Sequence, residues 1–177
     1  AMMGQAAPLT GYPELSVIIP VFNEAENLAT LYSRLTRALV NLGMSYEIIL
    51  VDDGSQDQSP EMLRKMEAED HRIVIVEFAR NFGHQVAISA GLEHSRGRAV
   101  CIMDADLQDP PEVLHTFLAK WQEGWEVVYA VRTERKEWWG KRLAYAGFYR
   151  LLQRVANIEI PLDAGDFCVM DRKVVDL

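Results

Sequence analysis

The feature that most constrains this chain is a row of short, unbroken apolar runs: "LSVIIPV" at 15–21, "YEIILV" at 46–51, "RIVIVEF" at 72–78, "RAVCIM" at 98–103 and "EVVYAV" at 126–131. A strand with one face in water alternates apolar and polar residues, so runs without alternation predict strands covered on both faces. A helix-period segment follows each run. After the first, Leu28, Leu31, Tyr32, Leu35 and Leu39 recur at helical spacing, and Asn41 and Gly43 close the helix. Further helices are expected at about 59–70, 84–95, 111–123 and 138–156. "FCVMDRKVVDL" at the end reads as another strand leading into a helix. Strand and helix in alternation predict a doubly wound α/β domain with a parallel sheet. With no internal repeat, low-complexity stretch or linker, residues 15–177 read as one domain, preceded by a disordered tail over 1–14.

Several classes fall away on simple grounds. No apolar run approaches the roughly 18 residues of a membrane span, and "AMMGQAAPLTGYPE" lacks the basic start and apolar stretch of a signal peptide. The chain as given is therefore expected to be soluble. Cys101 and Cys168 make no metal-ligand spacing and read as reduced core residues of a cytoplasmic protein. A net charge of −8 argues against a nucleic-acid partner. That charge is uneven: seven basic residues stand against Glu134 and Glu137 between Arg132 and Arg154, which suits either an anionic partner or a solvated helix face.

Ligands of such sheets sit outside the carboxyl ends of the strands. Those ends are Pro20 to Glu24, Asp52 to Ser55, Ala79 to His84, Asp104 to Gln108 and Arg132 to Arg135, and four of the five carry charged or paired polar groups. Neither G-x-G-x-x-G nor G-x-x-x-x-G-K-[ST] is present, so no glycine-rich phosphate cradle is available. Asp104, Asp106 and Gln108 instead offer oxygen ligands, two of them anionic, which suit Mg²⁺ or Mn²⁺ and not zinc. The bland alternative is an Asx-capped turn leading into a helix at Pro110-Pro111. Of the pair Asp52 and Asp53, one can accept hydrogen bonds from a base or ribose. The other can serve the turn, with Gly54 supplying positive φ and Asp57 or Ser59 capping the next helix. His84 and His94 have no ligand spacing and read as surface or satisfied polar residues.

Five segments, "LSVIIPVFNEAENL", "YEIILVDDGSQD", "RNFGHQVAISAGL", "CIMDADLQDPPE" and "DAGDFCVMDR", resemble in order and spacing the inverting GT-A glycosyltransferases of family two. More narrowly they are similar to the polyprenyl-phosphate glycosyltransferases, such as dolichol-phosphate mannose synthase and bactoprenol glucosyltransferase. The resemblance implies a GT-A fold, a mostly parallel Rossmann-like sheet with helices on both faces. It also implies a nucleotide-sugar pocket at Pro20, Phe22, Glu24, Asp52 and Asp53, with Arg80 and Asn81 beside the donor. Asp104, Ala105 and Asp106 would meet the donor diphosphate, and Asp104, Asp106 and Gln108 would hold the Mg²⁺ or Mn²⁺ that bridges it. Arg132, with Lys141 and Arg142, matches cations that meet the acceptor phosphate in the mannose synthase branch. That branch has a serine where this chain has Tyr145, and "DAGDF" is closer to the bacterial glucosyltransferase branch than to D-P-x-S-G-F. Members of the family continue with further helices and membrane spans, so the chain reads as a catalytic core of a longer protein at the cytoplasmic face of a membrane.

The acceptor decides what other chemistry is needed. A sugar hydroxyl requires a general base, for which Asp166 is favoured over Asp163, although either could cap a turn beside Gly165. A lipid phosphate, with a second pKa near 6, is already ionised and needs cations to position it. The expected activity is transfer of a hexose from a nucleotide-sugar, UDP-linked in preference to GDP-mannose, to a polyprenyl phosphate. Transfer to a saccharide hydroxyl is the alternative within enzymes, and a nucleotide-binding module without catalysis the alternative of another class. A phosphorylation receiver would need an acid pair after the first strand, which reads Pro20-Val21-Phe22-Asn23 here. The mixture "RKEWWGKRLAYAGFYRLLQR" suits a helix lying in a membrane surface as well as one packed on the sheet.

Overall fold

The computed structural model describes residues 11–131 and 164–177, the side chains of 131 and 164–166 excepted. The five apolar runs are strands: β1 (Leu15–Val21), β2 (Tyr46–Asp52), β3 (Ile73–Glu77), β4 (Ala99–Ile102) and β5 (Val127–Val131). Between them lie α1 (Ala25–Leu42), α2 (Ser59–Glu69), α3 (His84–His94) and, after a 3-10 turn over Pro111–Val113, α4 (Leu114–Gln122). The chain closes with β6 (Ala164–Asp171) and the short α5 (Arg172–Val175). The helix expected over 138–156 lies outside the described residues.

Unbroken apolar strands divide their side chains between two cores. Odd-numbered residues of β1 (Leu15, Val17, Ile19, Val21) meet Leu28, Leu31, Leu35 and Leu39 of α1, Leu63 of α2, and Leu114 and Leu118 of α4. The even-numbered Ile18 turns to the other face, where Ile49, Val51, Val100 and Ile102 lie under Ala87 and Ile88 of α3. Cys101 and Cys168 are free thiols that fall in the two different cores. Gly43 ends α1 in the left-handed region (φ +66°), its N–H donating to Val40 O.

The strand order is β3-β2-β1-β4-β6-β5. β1 pairs in parallel with β2 and β4, and β2 with β3. The sheet is mostly parallel, as the resemblance implied, with β6 as the exception, entering antiparallel between β4 and β5. Apolar runs identify strands but carry no record of partner or direction, which depend on pairing over long separations. The insertion has a geometric result. β6 begins at the edge where the parallel strands end, so Val131 pairs with Ala164 there.

The assigned tail also needs a correction at its end. Pro13 is buried, and Pro13 O and Glu14 O accept from Arg98 N and Ala99 N. Glu14 N donates to Ser45 O, and Glu14 Oε2 accepts from Ser45 N at 3.0 Å. These residues extend the β1 edge rather than hanging free, because buried backbone groups at the strand's start need partners.

Candidate active site at the carboxyl edge of the sheet

Val21 pairs with Asp52 at the ends of β1 and β2, so the two following loops leave side by side. A hydrogen-bonded lattice ties them. Asn23 N donates to Ser55 Oγ (2.9 Å), Glu24 N to Ser59 Oγ (3.0 Å), Ala25 N to Asp57 Oδ2 (3.1 Å), and Gln56 N to Asn23 Oδ1 (2.8 Å). Asn23 sits at φ +55°, a backbone that asparagine tolerates better than most residues. Burial by itself would raise the Asp57 carboxyl, but hydrogen bonds from Ser59 and Ala25 outweigh it and hold its pKa below the usual range. The lattice leaves Pro20 buried and Phe22 45% exposed at the mouth, with Glu24 half-buried and accepting from Asn27 Nδ2 at 2.7 Å. Asn23, Ser55, Asp57 and Ser59 shape this rim. Of these, only Asp57 and Ser59 were singled out from sequence, as caps.

The two acids at the end of β2 are both buried and have separate tasks. Asp52 Oδ1 accepts from Ser55 N at 3.0 Å and fastens its own turn. Asp53 reaches across to the loop that precedes α3, its carboxylate accepting from Phe82 N at 2.7 Å and Gly83 N at 3.0 Å. The sequence leaves open which of the pair serves the turn; the geometry gives the local turn contact to Asp52 and the contact with the distant loop to Asp53. Gly54, at φ +71°, lets the loop come close: a Cβ there would lie 2.4 Å from Arg80 C and 2.6 Å from Asn81 N. Arg80 and Asn81 are exposed, with the Arg80 guanidinium over the Phe82 ring at 4.8 Å and Phe82 edge-on to Phe78.

β4 ends at Ile102, and Met103 N still donates to Ile18 O, so the pairing with β1 runs on into the acidic stretch. Asp104 is half-buried, its side chain 25% exposed, and Ala105 is buried. Asp106 Oδ1 accepts from Gln108 N at 3.0 Å, the Asx turn of the bland reading, and Gln108 is exposed. Between them Leu107 is at φ +62°. A leucine in the left-handed region costs about 1 kcal/mol, and such outliers persist where the surroundings over-determine the backbone. On its far side the stretch is anchored by Glu112, whose carboxylate takes two hydrogen bonds from Arg34 of α1 at 2.7 and 2.8 Å. Arg34 holds the Glu112 carboxyl down at about 2.

His84, read from sequence as a surface or satisfied residue, opens α3 with Nε2 3.6 Å from Asp104 Oδ1. No periodicity reveals this contact, since it joins a helix start to a strand end through the fold. Asp166 is on β6, whose antiparallel pairing with β4 runs as far as Ile102 opposite Cys168. Arg132, Lys141, Arg142, Tyr145, Asp163 and the Asp166 side chain lie outside the described residues. The groups present fit a divalent cation in chemistry: a half-buried carboxylate at Asp104, with the oxygen donors of the partly exposed Asp106 and the exposed Gln108 beyond it. Among the described residues no three His, Cys, Asp or Glu side chains form a ready-made cage.

The family described as glycosyl transferase family 2 matches residues 16–177 of this chain. The uncharacterized glycosyltransferase YkcC of Bacillus subtilis is 48% identical over 164 residues, 92% of this chain and 51% of that protein. An uncharacterized glycosyltransferase of Synechocystis is 46% identical over 164 residues, 92% of this chain and 52% of its own length. The chain thus spans about half the length of the curated relatives it matches. Among solved structures, the mannosyltransferase PcManGT from Pyrobaculum calidifontis, in complex with GDP-Man and Mn²⁺, has a TM-score of 0.61 at 22% identity over 94% of this chain and 47% of that one. Glucosyl-3-phosphoglycerate synthase from Mycobacterium tuberculosis, in complex with Mn²⁺, UDP and glucosyl-3-phosphoglycerate, has a TM-score of 0.58 at 20% identity over 91% of this chain and 57% of that one. At these identities the likeness is one of fold.

Proposed function

The chain belongs to glycosyltransferase family 2, and on that premise we propose that it transfers a hexose from a nucleotide-sugar, UDP-linked in preference to GDP-mannose, to a polyprenyl phosphate. The observation that carries the donor half is the stretch 104–108 at the end of β4, with a half-buried carboxylate and a left-handed Leu107 at the edge where ligands of such sheets bind. Of the two solved neighbours named above, one holds Mn²⁺ with GDP-Man and the other Mn²⁺ with UDP, which supports a donor bound with metal.

In this reading the rim at Pro20, Phe22, Glu24 and Asp52 receives the base and ribose, and the loop with Arg80 and Asn81 flanks the donor. Asp104, Asp106 and Gln108 hold the Mg²⁺ or Mn²⁺, which when bound neutralises charge on the departing diphosphate. Arg132, Lys141 and Arg142 position the acceptor phosphate, an ionised nucleophile that needs no proton removed. Asp166 orients these groups. The full protein works at the cytoplasmic face of a membrane, and its lipid acceptor reaches the site from that surface.

The second reading, a saccharide hydroxyl as acceptor, requires Asp166 as general base. Asp166→Asn separates the two: retained turnover with a polyprenyl phosphate supports the lipid reading, and abolished turnover with donor binding intact favours the hydroxyl. For the donor half, calorimetry with UDP-glucose and GDP-mannose, with and without Mn²⁺, is expected to show tighter binding with the ion. If neither nucleotide binds more tightly with Mn²⁺, the reading is wrong.

A further inference from the structure

His84 is held in place more firmly than its sequence context suggests. Its neighbours Phe82 and Gly83 are bound through their N–H groups to the buried Asp53, and the turn after it is pressed to the sheet by Ala87 and Ile88. Its side chain is 39% exposed and faces Asp104. The Nε2 to Oδ1 distance of 3.6 Å exceeds that of a hydrogen bond. By contrast, the ion pairs of this protein that involve buried carboxylates, Arg96 with Glu47 and Arg72 with Asp70, close to 2.8 Å. Two ligands of one six-coordinate ion, each bonded at about 2.1 Å, stand about 3 to 4 Å apart.

We propose that His84 is a nitrogen ligand of the divalent cation bound at Asp104, which makes the site a mixed oxygen and nitrogen one. This rests on the reading above that a cation binds at Asp104. It adds a residue from α3 to a metal site otherwise drawn from the 104–108 stretch, and it has a consequence for metal choice. Later first-row ions bind imidazole most strongly, Mn²⁺ accepts it among oxygen ligands, and Mg²⁺ prefers oxygen donors alone, so a nitrogen ligand favours Mn²⁺ over Mg²⁺. The protein would then favour Mn²⁺ through His84 and leave the remaining positions to donor phosphates and water.

The test is pulsed electron paramagnetic resonance of Mn²⁺ bound to the protein in the presence of UDP. Bound Mn²⁺ is expected to show coupling to a directly ligated imidazole nitrogen that is lost in His84→Gln and kept in His94→Gln. Calorimetry should show Mn²⁺ affinity falling about tenfold or more in His84→Gln, with Mg²⁺ affinity changed less. His84→Asn, also measured by thermal melting, guards against a folding defect in the first variant. Bound Mn²⁺ without nitrogen coupling, or coupling that survives in both His84 variants, overturns the role of His84 while the cation site stands. Absence of Mn²⁺ binding with UDP present overturns the cation site and this inference together.

Discussion

Asp53 and Gly54 govern the same loop by different means. Asp53 satisfies the N–H groups of Phe82 and Gly83, and its loss would leave those donors unpaired beside a buried position, costing about 1–3 kcal/mol. Asp53→Ala is therefore expected to lower stability by that amount in urea unfolding and to speed hydrogen exchange at the Phe82 and Gly83 amides above all others. Exchange unchanged at those two amides would count against the anchoring role. Gly54→Ala should destabilise more than Gly43→Ala. Both positions carry the left-handed backbone, worth about 1 kcal/mol against a side chain. Only at Gly54 does the new Cβ also run into backbone, whereas Gly43 has open space around it. Equal losses in the two variants would mean that the 80–83 loop yields freely. That a glycine here needs positive φ is legible from "DDGS"; which loop it admits is not.

At the scale of elements, two polar clusters fasten the amino edge of the sheet, opposite the candidate site. In one, Ser16 and Glu47 face each other in register on β1 and β2, and the buried Glu47 carboxylate accepts from Ser16 Oγ at 2.7 Å and from Arg96 N and Nη2 at 2.8 Å. This holds the loop from α3 into β4. In the other, Asp70 after α2 accepts from the Tyr32 hydroxyl of α1 at 2.9 Å and from both Arg72 guanidinium nitrogens at 2.8 Å, while Arg72 lies over the Tyr46 ring. Burial opposes ionisation of Asp70, but the Arg72 and Tyr32 hydrogen bonds outweigh it and hold the carboxyl below its ordinary range. Burial, with the Asp70 hydrogen bond and charge, pushes the Tyr32 hydroxyl up to about 12.

These two shifts have opposite pH signatures. A depressed carboxyl contributes stability above its unfolded pKa and loses it as pH falls through the folded value, so the Asp70 contribution should fade below about pH 4. A raised hydroxyl keeps its contribution below its unfolded pKa and loses it as pH rises, so the Tyr32 part should fade from about pH 10 towards 12. Unfolding free energy measured against pH should therefore be flat in this cluster between those limits. Tyr32→Phe should lose about 1 kcal/mol at neutral pH and shorten the alkaline decline. A variant with the full alkaline decline would show that another group causes it.

Over the whole molecule, the sheet gathers the carboxyl ends of five strands running in one direction and the start of β6 onto one edge. The rim, the Asp53-anchored loop and the 104–108 stretch thus lie together while the hydrophobic cores sit behind them. Because the cation site would be completed by a nucleotide, Mn²⁺ and UDP should bind cooperatively. Titrating Mn²⁺ at rising UDP should lower its apparent Kd, and by linkage UDP affinity should rise by the same factor with Mn²⁺. Independent binding would contradict a shared site.

The elements were legible in local pattern. Five unbroken apolar runs became β1 to β5, the leucine spacing became α1, and "DADLQD" was marked as the place where acids meet the edge of a sheet. These are local consequences of burial on two faces and of charge at a strand's end, so they can be read without knowing the neighbours. Only the tertiary structure decided that β6 runs antiparallel between β4 and β5 and that Asp53 serves a loop 29 residues away. It also decided that His84 faces Asp104 and that Pro13 and Glu14 belong to the sheet. Each of these depends on which distant segments the packing brings together, a choice made by the sum of many weak contacts and written in no single stretch of the chain.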